Sequence, residues 1–174
     1  FPKCNVVIAS KAMELAAKAH GEKRNFMEKL LSYGESGPLA MLTMKNDGFS
    51  YLRMKNAVYL TGVTGLNELV EIFRGQEVHQ PGALVCGYKV ISHLLAEAER
   101  LGRLQGMQFL LEQTPAETTA YRFARLDLKY FSPEAGHLVK GNVTTGEIYY
   151  TNSTHLAVAA PVSPLERAKQ EGIF

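Results

Sequence analysis

Cysteine is scarce in this sequence, which has only Cys4 and Cys86 among 174 residues. Two cysteines are too few for a disulfide framework, and their positions lack the paired spacing of a zinc site. Long apolar runs are also absent: no stretch approaches the ~20 residues of a membrane helix, and the first residues show no signal-peptide pattern. These absences predict a soluble, cytoplasmic protein with no membrane partner.

Neither sign of charge dominates, because 19 Lys and Arg stand against 17 Asp and Glu, for a formal net charge of +2. No run of about five or six like charges forms a basic patch, so nucleic acid is not an expected partner. A hydrophobic content of 46%, with 15 Gly and 7 Pro, is typical of one globular unit. We therefore expect one domain, or part of one.

The first third of the sequence predicts strands and helices of ordinary length from its apolar periodicity and its turn residues. In chain order these are a strand (Cys4–Ala9), a helix capped by Ser10 and ending at Gly21, a helix (Glu22–Leu31), a break (Gly34–Pro38), a strand (Leu39–Met44) and a turn (Asn46–Gly48).

The remaining two thirds show strands that alternate with helices. In chain order we predict a strand (Asn56–Thr61), a turn (Gly62–Gly65), a helix with Leu66, Leu69, Val70 and Phe73 on one face and Gly75 at its end, a helix (Ala83–Arg103), a strand (Gly106–Glu112), a helix after Thr114–Glu117, a strand (Glu147–Tyr150) and a terminal helix capped by Ser163. This alternation predicts an α/β layer or barrel with strands inside and helices outside. Since the sequence starts at a strand and ends just after a helix, we expect a piece of something larger.

The segment Gln113–Thr119 joins a predicted strand to a predicted helix. Backbone N–H groups at a helix start are unpaired and attract anions, so a phosphate could bind there. The alternative is a capping box, in which Thr114 and Glu117 bind each other's backbone and Pro115 takes the first helical position. Glu117 would also repel a phosphate unless it turns aside or a cation such as Arg122 offsets it. On local physics alone, the capping box is the commoner explanation.

Two further segments have a ligand-binding and a structural interpretation. The Gly62–Gly65 turn lacks both the dinucleotide pattern and the P-loop lysine, and close helix packing explains its glycines equally well. The segment Tyr149–His155 ends a strand with hydrogen-bonding side chains, where open α/β folds bind ligands. Asn152 and Ser153 are therefore candidate pocket residues, although ordinary turn chemistry would look the same.

No catalytic or metal-binding residue stands out. The histidines show no metal-ligand spacing, which favours surface or packing roles for His20, His79, His93, His137 and His155. Cys4 opens an apolar strand and Cys86 lies in a predicted helix, so both are interpreted as small apolar packing residues.

Three stretches, in order, resemble the anaerobic (class III) ribonucleotide reductases. They are "AVYLTGVTGLNELVEIF", "LLEQTPAETTAYRFARLD" and "YYTNSTHLAVAAPVSPLERAKQEGIF", within residues 56 to 174. The resemblance implies that residues 1–174 are a single fragment of a ten-stranded α/β barrel of the glycyl-radical-enzyme type, strands inside and helices outside. It implies an oxidoreductase that reduces ribonucleoside triphosphates to deoxyribonucleotides by thiyl and glycyl radical chemistry.

The same resemblance implies that the Thr-Pro-x-Glu loop binds the substrate phosphates, through Thr114, Ala116, Glu117 and Thr118, which reverses the local preference for a capping box. It adds Asn152 and Ser153 as possible substrate-pocket residues. No cofactor is expected within this chain, whereas the parent enzyme would need a glycyl radical and a structural zinc. Implied partners are a ribonucleoside triphosphate, the remaining barrel segments, an iron–sulfur activating enzyme and, for the parent, a second copy in a homodimer.

The sequence also departs from the family pattern. It has no Arg-Gly-Tyr glycyl-radical loop and no paired zinc cysteines, and the family's radical cysteine precedes the matched region. Cys4 does not match that cysteine, so we expect the chain alone to be inactive. Two alternatives follow: a non-catalytic scaffold domain, with a closed capping box at Thr114 and an exposed apolar surface, or another glycyl-radical enzyme with a different substrate.

Overall fold

A computed structural model describes residues 6–174 of the chain, and these begin with one long helix. Helix α1 spans Val6–Ser32 and runs through Gly21 without a break. The predicted strand is therefore wrong over residues 6–9, and so are the predicted cap at Ser10 and helix end at Gly21, while Cys4 lies outside the described residues. The reason is that β-branched residues cost a helix only a few tenths of a kcal/mol each, and good helix formers follow them directly.

A short helix and a hairpin follow α1. Helix α2 spans Ala40–Thr43, and the Thr43 hydroxyl donates to Ala40 O at 2.8 Å. The predicted strand over Leu39–Met44 is wrong, because the segment forms one helical turn, and its carbonyls Leu42 O and Met44 O accept from the backbone of residues 51 and 52 just after the hairpin. Strands β1 (Lys45–Asn46) and β2 (Phe49–Ser50) pair antiparallel. The predicted turn is confirmed, since Asp47 and Gly48 have φ values of 51° and 82°, as a tight hairpin turn requires.

The middle of the chain forms two strand–turn–helix units, close to the prediction. Strand β3 spans Val58–Val63 and precedes helix α3 (Leu66–Arg74), and helix α4 (Pro81–Gln105) is followed by strand β4 (Gln108–Gln113). Strands β3 and β4 form a two-stranded sheet. Gly75 ends α3 with a φ of 64° and an N–H that donates to Glu71 O, so the predicted glycine stop is confirmed.

The last third carries the remaining elements. Helix α5 spans Glu117–Tyr130, strands β5 (Lys140–Asn142) and β6 (Glu147–Tyr149) pair antiparallel, and helix α6 spans Pro164–Glu171. The predicted cap of α6 is confirmed, because the Ser163 hydroxyl accepts from Glu166 N at 3.2 Å. Strand β5 was not predicted, since Lys, Gly and Asn are weak strand formers.

The chain divides into two compact units, and the first is built mainly from residues 62–93 and 111–174. Its larger core contains Leu66, Val70, Val78, Ala83, Leu156 and Ala160. A smaller core packs Ala124 of α5 against Val139 and Ile148 of the β5–β6 hairpin. Lys140 ties this hairpin to α3 and to the segment after it, because its Nζ lies 2.7 Å from Glu71 Oε2 and 2.6 Å from Glu77 Oε1.

The second unit comprises residues 7–61 and 94–110. Tyr59 and Phe109 are buried side chains there, and His20 contacts both rings at centroid distances of 5.5 and 5.8 Å. Taken together, the described residues have a mixed α/β architecture, with three two-stranded sheets and no closed barrel among them. The predicted α/β class is confirmed at this level.

Candidate functional site

The site begins where Gly62 of β3 approaches Thr114. A β-carbon added at Gly62 would lie 2.5 Å from Thr114 Oγ1 and 2.9 Å from Thr114 Cβ, which is closer than packed atoms come. Glycine is therefore required here by a close approach between the ends of two neighbouring strands. This contact brings the Gly62–Gly65 turn beside the Thr-Pro-x-Glu loop, two segments that the sequence marked separately.

Helix α5 starts without a side-chain cap. Its first helical residue is Glu117, its N-cap is Ala116, and no side-chain hydrogen bond caps it. The Thr114 hydroxyl instead donates to Glu112 Oε2 at 3.1 Å. The capping-box alternative is therefore wrong, because the helix begins two residues later than that motif requires and Thr114 lies outside it.

The open helix start leaves backbone donors available. The first intrahelical bond of α5 runs from Ala120 N to Ala116 O at 2.7 Å. The N–H groups of Glu117, Thr118 and Thr119 precede it, and helix geometry gives them no internal acceptor. All three residues are exposed. An exposed group of parallel N–H donors at the positive end of a helix is suited to binding an anion.

The segment after β6 lies against the starts of α3 and α5. Glu68 of α3 accepts two hydrogen bonds from Thr151, and Gly65 N donates to Thr151 O at 3.3 Å. Tyr150 N donates to Ala120 O at 3.4 Å, and the Tyr150 hydroxyl donates to Asp127 Oδ2 at 2.9 Å. Burial together with this carboxylate raises the pKa of Tyr150. The predicted pocket segment thus lies beside the first turn of the helix that carries the predicted phosphate loop.

Asn152 and Ser153 carry polar atoms that the fold leaves without partners. Ser153 is fully buried with a φ of 48°, and neither its hydroxyl nor Asn152 Oδ1 has a hydrogen-bond partner among the described residues. The neighbouring Thr154 hydroxyl is also buried and without a partner. Buried polar groups are normally hydrogen-bonded, so these atoms are candidate contacts for a ligand.

Sequence reasoning missed the role of Asn67 and Glu68, which are 0% and 5% exposed. Asn67 Oδ1 accepts from Val78 N at 3.0 Å, which fixes the chain between α3 and α4. Burial raises the pKa of the Glu68 carboxyl, although the hydrogen bonds from Thr151 partly offset this effect. One sequence signal for Glu68 existed, namely an acidic residue in the first turn of a helix that follows a glycine turn.

Two of the histidines lie near carboxylates, and the described cysteine packs against a core. His79 Nδ1 lies 3.4 Å from Glu77 Oε2, and His155 Nδ1 lies 3.3 Å from Glu171 Oε2. Cys86 packs against the larger core of the first unit. Across residues 6–174, no three His, Cys, Asp or Glu side chains are grouped to hold a metal ion. In the same range, none of the helices combines the length and apolar character of a membrane span.

A family model for anaerobic ribonucleoside-triphosphate reductase matches residues 7–174. The chain belongs to this reductase family. The family's relatives include the anaerobic ribonucleoside-triphosphate reductase of Escherichia coli K12, which is 29% identical over 172 residues, or 97% of this chain and 23% of that protein. The reductase of Haemophilus influenzae is 37% identical over 81 residues, or 47% of this chain and 10% of that protein.

Solved structures of the reductase family share the fold. The anaerobic ribonucleotide reductase from Thermotoga maritima with glycerol in the active site has a TM-score of 0.71 at 21% identity, covering 96% of this chain and 25% of that one. The same enzyme in complex with dATP and CTP gives a TM-score of 0.70. The chain thus spans about a quarter of the length of the reductases it matches. The family membership confirms the resemblance of the three sequence stretches.

Proposed function

We propose that this chain supplies the substrate phosphate-binding part of an anaerobic ribonucleoside-triphosphate reductase. One observation carries the proposal: α5 begins at Glu117 with no side-chain cap, so its first N–H groups are free to bind a phosphate. The closed capping box that a non-catalytic scaffold domain would have is not formed. Backbone donors of this kind hold the phosphates and so fix the ribose against the reacting groups.

In the proposed site, Thr114, Ala116, Glu117 and Thr118 surround the phosphates, and Asn152 and Ser153 face the nucleoside. The proximity of Thr114 to Gly62 supports a fixed loop conformation, and the bond between Tyr150 and Ala120 supports a pocket beside α5. The Glu117 carboxylate is exposed and can turn towards solvent, away from the phosphates. Arg122, also exposed on α5, offsets its charge.

The complete enzyme would be a ten-stranded α/β barrel with strands inside and helices outside, to which this chain contributes one part. Its reaction would convert ribonucleoside triphosphates to deoxyribonucleotides, with a glycyl radical and a structural zinc supplied by other segments. The proposed partners of the chain are those segments, an iron–sulfur activating enzyme and a second copy of the parent, in the cytoplasm. Family membership supports this assignment.

A titration of the ¹⁵N-labelled chain with CTP tests the site, with inorganic tripolyphosphate as a probe of the phosphate loop alone. We expect both ligands to shift the amide signals of Glu117, Thr118 and Thr119, and CTP alone to shift Ser153. The start of α6 is the internal control, because Ser163 caps it, and its amides should not move. Unmoved amides at Thr118 and Thr119 would contradict the proposal.

Two substitutions of Glu117 separate its charge from its backbone donor. Glu117→Ala removes the charged end of the side chain but keeps the backbone N–H, and it should tighten tripolyphosphate binding about twofold, because like charges repel. Glu117→Pro also removes the N–H group, at a first helical position that tolerates proline. It should bind about tenfold more weakly than Glu117→Ala, the effect of one charge-assisted hydrogen bond. Equal affinities of the two variants would exclude a phosphate at this N–H group.

A further inference from the structure

Glu68 makes contacts that its position in a helix does not require. It lies in the first turn of α3 and is only 5% exposed. Its Oε1 accepts two hydrogen bonds from one residue, from Thr151 N at 2.8 Å and from the Thr151 hydroxyl at 2.6 Å. A buried carboxylate therefore binds both the backbone and the side chain of the residue that precedes Asn152 and Ser153.

Two backbone N–H groups at the start of α3 also bind this segment. Gly65 N donates to Thr151 O at 3.3 Å, and Leu66 N donates to Ser153 O at 3.4 Å. Together they form a clasp, by which we mean four hydrogen bonds: Gly65 N and Leu66 N donate to the carbonyls of Thr151 and Ser153, and Glu68 accepts two from Thr151. A carboxylate is favoured at this end of a helix because the helix dipole is positive there.

The clasp holds a segment with an uncommon backbone conformation. Ser153 has a φ of 48°, which a non-glycine residue adopts at a cost unless its surroundings fix it. Asn152 Oδ1 and Ser153 Oγ are buried and have no partner among the described residues. A strained segment that presents unpaired polar atoms is characteristic of a ligand-binding loop.

We propose that Glu68 is a positioning residue for the nucleotide, because it holds Thr151–Ser153 in the conformation that turns Asn152 and Ser153 towards the nucleoside. The inference rests on the proposed function of the site. Glu68 acts through Thr151 and does not itself contact the phosphates. Its effect should therefore fall on the nucleoside part of the ligand and leave phosphate binding at α5 unchanged.

The test compares Glu68→Ala and Glu68→Gln with the wild-type chain. Both CTP and tripolyphosphate are titrated, and the amide signals of Thr118 and Ser153 are followed separately. Glu68→Ala should weaken CTP binding about tenfold and remove the Ser153 shift, while tripolyphosphate affinity stays within about twofold. Glu68→Gln keeps an oxygen that can accept both Thr151 bonds, so it should restore CTP affinity to within about threefold.

The possible outcomes separate this inference from the proposed function. If Glu68→Ala weakens CTP and tripolyphosphate equally, or weakens neither, Glu68 does not position the nucleoside and the inference fails alone. If Glu68→Gln is no better than Glu68→Ala, the hydrogen-bond mechanism is wrong. If the wild-type chain shifts at neither Thr118 nor Ser153, the proposed function fails, and the inference that rests on it fails too.

Discussion

Gly62 leaves no room for a side chain beside Thr114, so a substitution there should have a measurable consequence. We expect Gly62→Ala to destabilise the chain by ~1–3 kcal/mol, because the added methyl group must displace Thr114, whose Cβ cannot move without its backbone. Urea unfolding measures this change, and the amide signal of Thr114 should shift in the folded variant.

The matched control for that substitution is Gly136. A β-carbon added there meets nothing within 4 Å, and the residue is exposed. Gly136→Ala should therefore change the free energy of unfolding by less than ~0.5 kcal/mol. Equal effects of the two substitutions would mean that Gly62 is not required by its contact with Thr114.

At the residue scale, the capping box that local sequence favoured at Thr114 is not formed. Thr114, Pro115 and Glu117 match the capping-box template, yet the helix starts at Glu117, because Thr114 is fixed by Gly62 and Glu112. The contact with Gly62 comes from a neighbouring strand, which a local sequence template does not include. Glu68 was missed for the same reason, since its partner Thr151 lies 83 residues away.

At the scale of elements, two helices with opposite N-terminal arrangements allow a direct comparison. Ser163 caps α6 through Glu166 N, whereas Thr114 makes no such bond to α5. Ser163→Ala should cost ~1 kcal/mol, the usual loss of a side-chain cap. Thr114→Ala should cost less than ~0.5 kcal/mol, because no cap is lost. Thermal unfolding of both variants tests the pair, and a Thr114 variant as unstable as the Ser163 variant would indicate a capping box after all.

Helices with recognisable capping residues at their ends were predicted well. Helix α3 has glycines at both ends and an apolar face, and α6 has its Ser-Pro-x-Glu start. The errors lie in α1 and α2, where short apolar runs are compatible with a strand or a helix. Local sequence cannot decide between them, because a strand also needs a partner and the choice depends on tertiary contacts.

At the scale of the whole molecule, the α/β class followed from the alternation of strands and helices, whereas the described residues form three two-stranded sheets and no closed barrel. The free energy of unfolding should depend on pH, because two carboxylates in the first unit have pKa shifts of opposite sign. Burial raises the pKa of Glu68. Burial also raises that of Glu171, but hydrogen bonds from Leu156, His155 and Arg167 outweigh it, so the pKa of Glu171 is lowered.

The two shifts predict opposite effects of the corresponding glutamine substitutions. A carboxyl with a raised folded pKa contributes stability below its unfolded pKa of ~4.3 and loses that contribution as the pH rises through the folded value. At about pH 7, Glu68→Gln should therefore be at least as stable as the wild-type chain. Glu171 has a lowered pKa, so its contribution is present above ~4.3, and Glu171→Gln should be less stable by ~1 kcal/mol at about pH 7.

Lowering the pH should bring both variants towards the wild-type free energy of unfolding, from opposite sides. As the pH falls from about 7, Glu68 becomes protonated at a higher pH than Glu171. The difference in free energy of unfolding between the wild-type chain and Glu68→Gln then disappears. The folded pKa of Glu171 is lowered, so its contribution to stability starts to fall below ~4.3 and is lost as the pH falls through the folded value. Urea unfolding of the three chains at a series of falling pH values measures both differences. The contacts imply that burial dominates at Glu68 and that hydrogen bonding dominates at Glu171. A destabilised Glu68→Gln variant together with a neutral Glu171→Gln variant at about pH 7 would contradict both statements.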